Sequence, residues 1–224
     1  MRIQVILSEL WTHAPFTAFG AATGIAILVG MSVFDVPKSV STSLFWVLHP
    51  GHVLLSALAT TAMYGLHSHG GLLRVIVIGY LGAVGIATVS DCIIPYLGEA
   101  LLQQEGREIH FGFIEKWWLV NPLALAGIAI AYFWPNTKLP HAGHVLLSTW
   151  ASLFHMTMAM DGPVTLVQTL VIAVFLFAAV WLPCCASDIV FPLLFSEGGR
   201  ARRARTEEEA GSVEEQPAEE KRVI

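Results

Sequence analysis

Long apolar runs separated by short polar breaks make up most of the chain. The runs cover residues 13–34, 43–66, 72–97, 119–134, 141–160 and 164–195. A helix needs about 20 apolar residues to cross the hydrocarbon of a bilayer, and most of these runs have that length. The breaks carry turn chemistry. Asp35-Val36-Pro37-Lys38 ends the first run, His67-Ser68-His69-Gly70-Gly71 the second, Pro135-Asn136-Thr137-Lys138-Leu139-Pro140 the fourth and Asp161-Gly162-Pro163 the fifth. The sixth run is too long for one straight crossing, and Pro183 is the expected point of kinking. The pattern therefore predicts an all-α integral membrane protein of about six transmembrane helices.

One break is longer than the others. Residues 98–118 hold Glu99, Glu105, Arg107, Glu108, His110 and Glu115 and close on Lys116-Trp117-Trp118. Paired Trp beside Lys suits a membrane interface, where the ring is apolar and the N–H is wet. The expected layout is an N-terminal interfacial segment at 1–12, a three-helix unit at 13–97, a polar extracytoplasmic insert at 98–118, a second three-helix unit at 119–197 and a charged tail at 198–224.

The two units repeat each other. His49-Pro50-Gly51-His52-Val53-Leu54-Leu55-Ser56 returns as His141-Ala142-Gly143-His144-Val145-Leu146-Leu147-Ser148, with seven of eight positions identical. Ser90-Asp91 with Pro95 returns as Ser187-Asp188 with Pro192, 39 and 44 residues after the second histidine of each motif. A weaker match aligns His13-Ala14-Pro15 and Gly20 with Val120-Asn121-Pro122 and Gly127. An odd number of spans per unit inverts the second relative to the first. Inverted repeats are a common plan for secondary transporters.

Composition changes the picture little. Hydrophobic residues are 55% of the chain and charged residues 13%, against roughly 25% charged in soluble domains. The net charge of −5 comes largely from the acidic tail from Thr206 onward, which is expected to be disordered. Arg200, Arg202, Arg203 and Arg205 follow the last span and predict a cytoplasmic C-terminus; six spans then put the N-terminus on the same side, in the cell (inner) membrane. A cleaved signal is not expected, because no small-residue cleavage site precedes the first span. Cys92, Cys184 and Cys185 form no disulfide framework. The lipid bilayer is the expected partner, with a homodimer as the arrangement so small a body would adopt, and no nucleic acid.

Candidate chemistry sits on the repeated positions. Histidines three apart share a helical face, so His49 with His52, and His141 with His144, can converge on one ion. The topology places His49, His52 and Asp91 toward one membrane face and His141, His144 and Asp188 toward the other. Two His and a carboxylate form a ligand set for Zn, Fe, Mn or Co. Ionisable groups inside a membrane are costly and mark functional sites. Ser56, Ser148 and His155 are candidates for a substrate path. The plain alternatives are packing histidines with satisfied hydrogen bonds, serines bonded to the preceding turn, and aspartates that cap a helix break before Pro95 and Pro192 or carry a proton.

These residues predict a small secondary transporter for a divalent transition-metal cation, proton-coupled through Asp91 and Asp188. Three other readings compete. A haem-b membrane cytochrome would use His52, His144 and His155. A transporter of an anion or small organic substrate would use the histidines as proton donors. A membrane hydrolase would use Ser56, His52 and Asp91, but their spacing on a helix is poor for a nucleophile and no oxyanion loop is visible.

Overall fold

The computed structural model describes residues 2–67, 71–135, 138–160 and 162–185; His69 and the whole segment 186–224, Asp188 included, lie outside it. Side chains at several helix positions, among them His13, His67, His141, Cys184 and Cys185, are outside the description as well. Among the described residues the chain is all helix, with no strand. Helix α1 runs Arg2–Val33 and α2 Lys38–His67. Helix α3 runs Leu72–Leu101, followed by the short α4 at Gly112–Glu115, α5 at Trp117–Phe133, α6 at Lys138–Met158 and α7 at Leu166–Cys185. Three stretches, Ala14–Val33, Lys38–Leu66 and Leu72–Leu101, are long and apolar enough to cross a membrane, and α5 and α7 supply shorter apolar segments. The protein is a helical membrane protein. The N-terminal residues expected to lie apart at the interface continue directly into α1.

Helix ends are set locally. At the end of α1 the Val36 N–H bonds the Met31 carbonyl at 3.0 Å while Asp35 takes φ 47°. This is a Schellman closure with Asp where Gly is usual. Helix α3 ends the same way, with Gln103 at φ 53° and the Gln104 N–H on the Glu99 carbonyl at 3.0 Å. Helix α3 therefore runs four residues past the apolar run that predicted it, and Gly98 and Glu99 belong to it rather than to the insert.

Helix α3 does not break at Pro95, and Asp91 caps nothing. It widens into π turns at Leu81–Gly85 and Val89–Ile93. Pro95 has no N–H to give the Asp91 carbonyl four residues back, which removes one α-type bond there. A π turn absorbs that loss and keeps the helix continuous.

The bundle sets polar stripes within an apolar core and turns large apolar side chains outward. Val47, Leu73, Val77, Leu97, Leu166 and Val174 are among the exposed large apolar side chains, as lipid contact requires. Trp117 and Trp118 are exposed at the start of α5. The buried stripe of α2 carries His49, His52, Ser56 and Thr60, and that of α6 carries His144, Ser148, Ser152 and His155. Both follow helical spacing, and the two stripes meet.

Helices α2 and α6 pack in opposite senses. Thr157 bonds Ser41 at 3.0 Å, Phe45 shares a core cluster with Ala151 and Phe154, Gly51 abuts Leu147, and Gly143 abuts Leu55. The last two contacts exchange equivalent positions of the repeated motif. Two further close approaches pair the repeated motifs with other helices. Gly20 of α1 faces Thr149 of α6, while Gly127 of α5 faces Leu54 and Ala57 of α2. Close backbone approach at small residues is how membrane helices gain packing when lipid offers no hydrophobic drive.

A Cβ at Gly127 would stand 2.5 Å from the Leu54 carbonyl oxygen and 2.9 Å from Ala57 Cβ. Backbone cannot yield as a flexible side chain does. Gly127→Ala is expected to destabilise by about 1–3 kcal/mol, read as a lower detergent melting temperature. Gly30→Ala, where a Cβ meets nothing within 4 Å, should leave the melting temperature unchanged or raise it.

Candidate functional site

The site is built around Asp91, which the π turn of α3 carries into the bundle with zero exposure. Its Oδ2 accepts from His49 Nδ1 at 2.9 Å and from His52 Nδ1 at 2.7 Å. Its Oδ1 accepts from Ser90 Oγ at 2.7 Å and from Ser148 Oγ at 2.8 Å. A carboxylate offers about four lone-pair sites, so all are taken. The α6 side is fixed further by Ser152 Oγ, which donates to the Ser90 carbonyl at 3.0 Å. One acidic side chain thus ties α2, α3 and α6 together.

Because each Nδ1 holds the carboxylate, the tautomer of His49 and His52 is set and Nε2 is the nitrogen left for other work. His52 Nε2 is buried and has no hydrogen-bond partner among the described residues. The His144 ring stands beside it, edge-on, with centroids 5.4 Å apart. Gly112 packs against His49 Nε2, where any side chain on residue 112 would overlap the ring.

Of the residues singled out from sequence, His49, His52 and Asp91 come together as expected. His144 does not stand toward the opposite face. It lies in the interior against His52, because α2 and α6 cross with their motifs level. Ser148 reaches across to Asp91 on α3. Ser56 is buried on the same stripe. The second cluster expected around His141 and Asp188 falls outside the described side chains. Among the described residues no group of three or more His, Cys, Asp or Glu is arranged to hold a metal ion.

A second polar pair lies nearby. His155 Nδ1 donates to Glu99 Oε1 at 2.6 Å, with both side chains about 1% exposed. Glu99 was missed because the polar residues after it placed it in the insert. The signal was present: Leu97, Ala100, Leu101 and Leu102 continue the apolar run around it. Phe45, fully buried, separates the pair from the Asp91 centre. It stacks on His49 at 5.3 Å and meets His155 edge-on at 5.3 Å.

A cavity of about 440 Å³ opens at the end of the bundle where the α1–α2 and α6–α7 turns meet. Asp35, Lys38, Ser41 and Thr157 contribute its polar lining. None of its lining residues belongs to the Asp91 centre.

Compared with protein-family models, with curated proteins and with solved structures, the chain matches none of them.

Asp91→Ala would leave two imidazole N–H groups and two hydroxyls without their acceptor in a dry interior. Each buried donor left without a partner costs about 1–3 kcal/mol, so the variant is expected to lose most of its thermal stability or fail to accumulate. Asp91→Asn keeps an acceptor oxygen and should fall between it and the wild type in the same melting experiment.

Proposed function

We propose that the protein is a small secondary transporter built from two inverted three-helix units, with the Asp91–His49–His52–His144 cluster as its central binding site. The observation that carries this reading is the Asp91 carboxylate, saturated by donors from both units, orienting two imidazoles whose Nδ1 atoms it holds. Imidazole donating one nitrogen to a carboxylate and presenting the other is the usual preparation for metal ligation. The cargo is a divalent transition-metal cation such as Zn, Fe, Mn or Co, taken by His52 Nε2 and His144, with His49 completing the shell as the helices shift. Asp91 is then an orienting group rather than a ligand. Asp188 is its counterpart for His141 and His144 in the second unit, and both aspartates are candidates for proton coupling.

The exchanged contacts Gly51–Leu147 with Gly143–Leu55, and Gly20–Thr149 with Gly127–Ala57, support the inverted-repeat reading. A two-fold relation between α2 and α6 brings residues nearest its axis together. His52 and His144 occupy equivalent positions and touch. A site at the meeting of two units suits alternating access, in which one unit rocks against the other. The cavity at Asp35 and Ser41 is the vestibule on one side, closed from the site by Phe45. The path includes Ser56, Ser148 and His155. In this arrangement both termini are cytoplasmic, and a reporter fused after Arg205 should read cytoplasmic; an external reading overturns that orientation.

A second reading is favoured by one observation. No three-ligand group stands ready among the described residues, so the cargo is alternatively an anion or small organic molecule for which the histidines supply protons. A haem between His52 and His144 is not favoured, because edge-to-face packing leaves no gap for a macrocycle.

Cobalt(II) titration of the purified full-length protein separates these readings, since bound Co²⁺ reports imidazole ligation in its visible spectrum. Wild type should bind Co²⁺ and take it up in proteoliposomes. His52→Ala and His144→Ala should each abolish the spectrum, and Asp91→Asn should weaken affinity about 10–100-fold. His110→Ala should bind normally. No Co²⁺ spectrum in the wild type, or unchanged uptake by the His52→Ala/His144→Ala double variant, would sink the metal reading.

A further inference from the structure

Four titratable side chains outside the Asp91 centre form a line from the surface into the bundle. Glu115 is 39% exposed, His110 21%, and His155 and Glu99 each 1%. Hydrogen bonds join the two at each end: His110 Nδ1 to Glu115 Oε2 at 3.1 Å, and His155 Nδ1 to Glu99 Oε1 at 2.6 Å. In the middle the imidazoles of His110 and His155 meet edge to face with centroids 5.5 Å apart. Two buried atoms along the line are open: among the described residues neither His155 Nε2 nor Glu99 Oε2 has a hydrogen-bond partner.

An unpartnered buried polar atom is costly, and here two belong to one hydrogen-bonded couple. Their chemistry suits a proton. Imidazole is the side chain that takes up and releases protons near neutral pH, on two separate nitrogens. A carboxylate in a membrane interior is stabilised by gaining one. The symmetric plan does not account for the couple, since Met63 stands at the position equivalent to His155 in the first unit and Ser196 at the one equivalent to Glu99 in the second.

We propose that Glu115, His110 and His155 form a proton relay that loads and unloads Glu99 from the surface. A proton on Glu115 passes along its hydrogen bond to His110 Nδ1. The partly exposed His110 ring turns and gives up its Nε2 proton to His155 Nε2. His155, now carrying protons on both nitrogens, releases the Nδ1 proton to Glu99 Oε1. One proton moves inward, the negative charge passes from Glu99 to Glu115, and both rings end in the other tautomer. Reversal empties Glu99 to the same surface. Phe45, apolar and seated between His155 and His49, keeps this proton from the Asp91 centre. Other groups bear on the line. Lys116 sits 5.6 Å over the Trp46 ring beside His110. Arg107 is engaged by the Gln104 carbonyl. The Cys92 thiol lies within electrostatic reach of Glu99, Glu115 and Asp91.

The relay holds whatever the cargo is, and its test reads protonation of one carboxyl rather than transport. Full-length protein carrying ¹³C-labelled glutamate, in lipid nanodiscs, is followed by infrared difference spectroscopy after a rapid pH drop. A protonated glutamate band should appear that Glu99→Gln removes. His110→Phe keeps a ring against His155 but cannot carry a proton, and should slow the band's appearance on the order of a hundredfold. Glu115→Gln should slow it less. His110 is on the surface segment, so this variant is expected to fold; circular dichroism checks it. Should Glu99→Gln fail to fold, His155→Gln, which removes the last relay group, takes its place and should slow the same band. The relay is refuted by an unchanged rate in His110→Phe, or by the absence of any glutamate band sensitive to position 99 or 155 across the pH range.

Discussion

A bare carboxylate in the middle of a membrane bundle is untenable, and Asp91 must be surrounded by donors before the helices around it can close. Two imidazoles and two hydroxyls meet that demand, and they come from α2, α3 and α6. The rest follows from the requirement. The polar stripes of α2 and α6 must face each other rather than lipid, so their large apolar residues turn outward. Small residues must stand wherever the neighbouring helices come close enough for the hydrogen bonds to form, as Gly51, Gly127 and Gly143 do. In a soluble protein water would relieve a misplaced donor. Here every error remains unsatisfied, and the position of one acid fixes the relative placement of three helices.

Much of this was legible in the chain. The HxGHVLLS repeat located two of the helices that build the site, the His-x-x-His spacing put His49 and His52 on one helical face, and the span count brought Asp91 to the same membrane face. The long apolar runs gave the helices nearly to their ends. What the repeat did not carry was depth. It sorted the two motifs to opposite membrane faces by counting spans, whereas antiparallel crossing sets His52 and His144 level and in contact. Cross-unit bonds such as Ser148 to Asp91 depend on that crossing, which no local pattern encodes. Glu99 was lost for a related reason: a polar window starts where acidic residues start, but the helix continues until Gln103 can take a left-handed turn.

Phe45 gives the interior its organisation. Two buried acid–histidine sets lie on either side of one aromatic ring, close enough to feel each other's charge and separated by a face that carries no hydrogen bond. Proton movement in one set can then alter the electrostatic setting of the other without reaching it. The segment after α3 completes the arrangement by folding back, so that Gly112 covers His49 while His110 keeps one edge at the surface.

The π turn at Val89–Ile93 has a consequence for what the sequence can tolerate. A π turn accommodates one more residue than the α turn it replaces. It could give back that residue by reverting to α geometry, but a residue removed from the regular helix after it, at positions 94–98, would rotate all that follows by about 100°. Asp91 could then face α2 and α6 only if Glu99 swung away from His155. The number of residues separating the two acids is therefore constrained as tightly as their identity. In this stretch a change of side chain is a local injury, while a change of length would dismantle two centres at once.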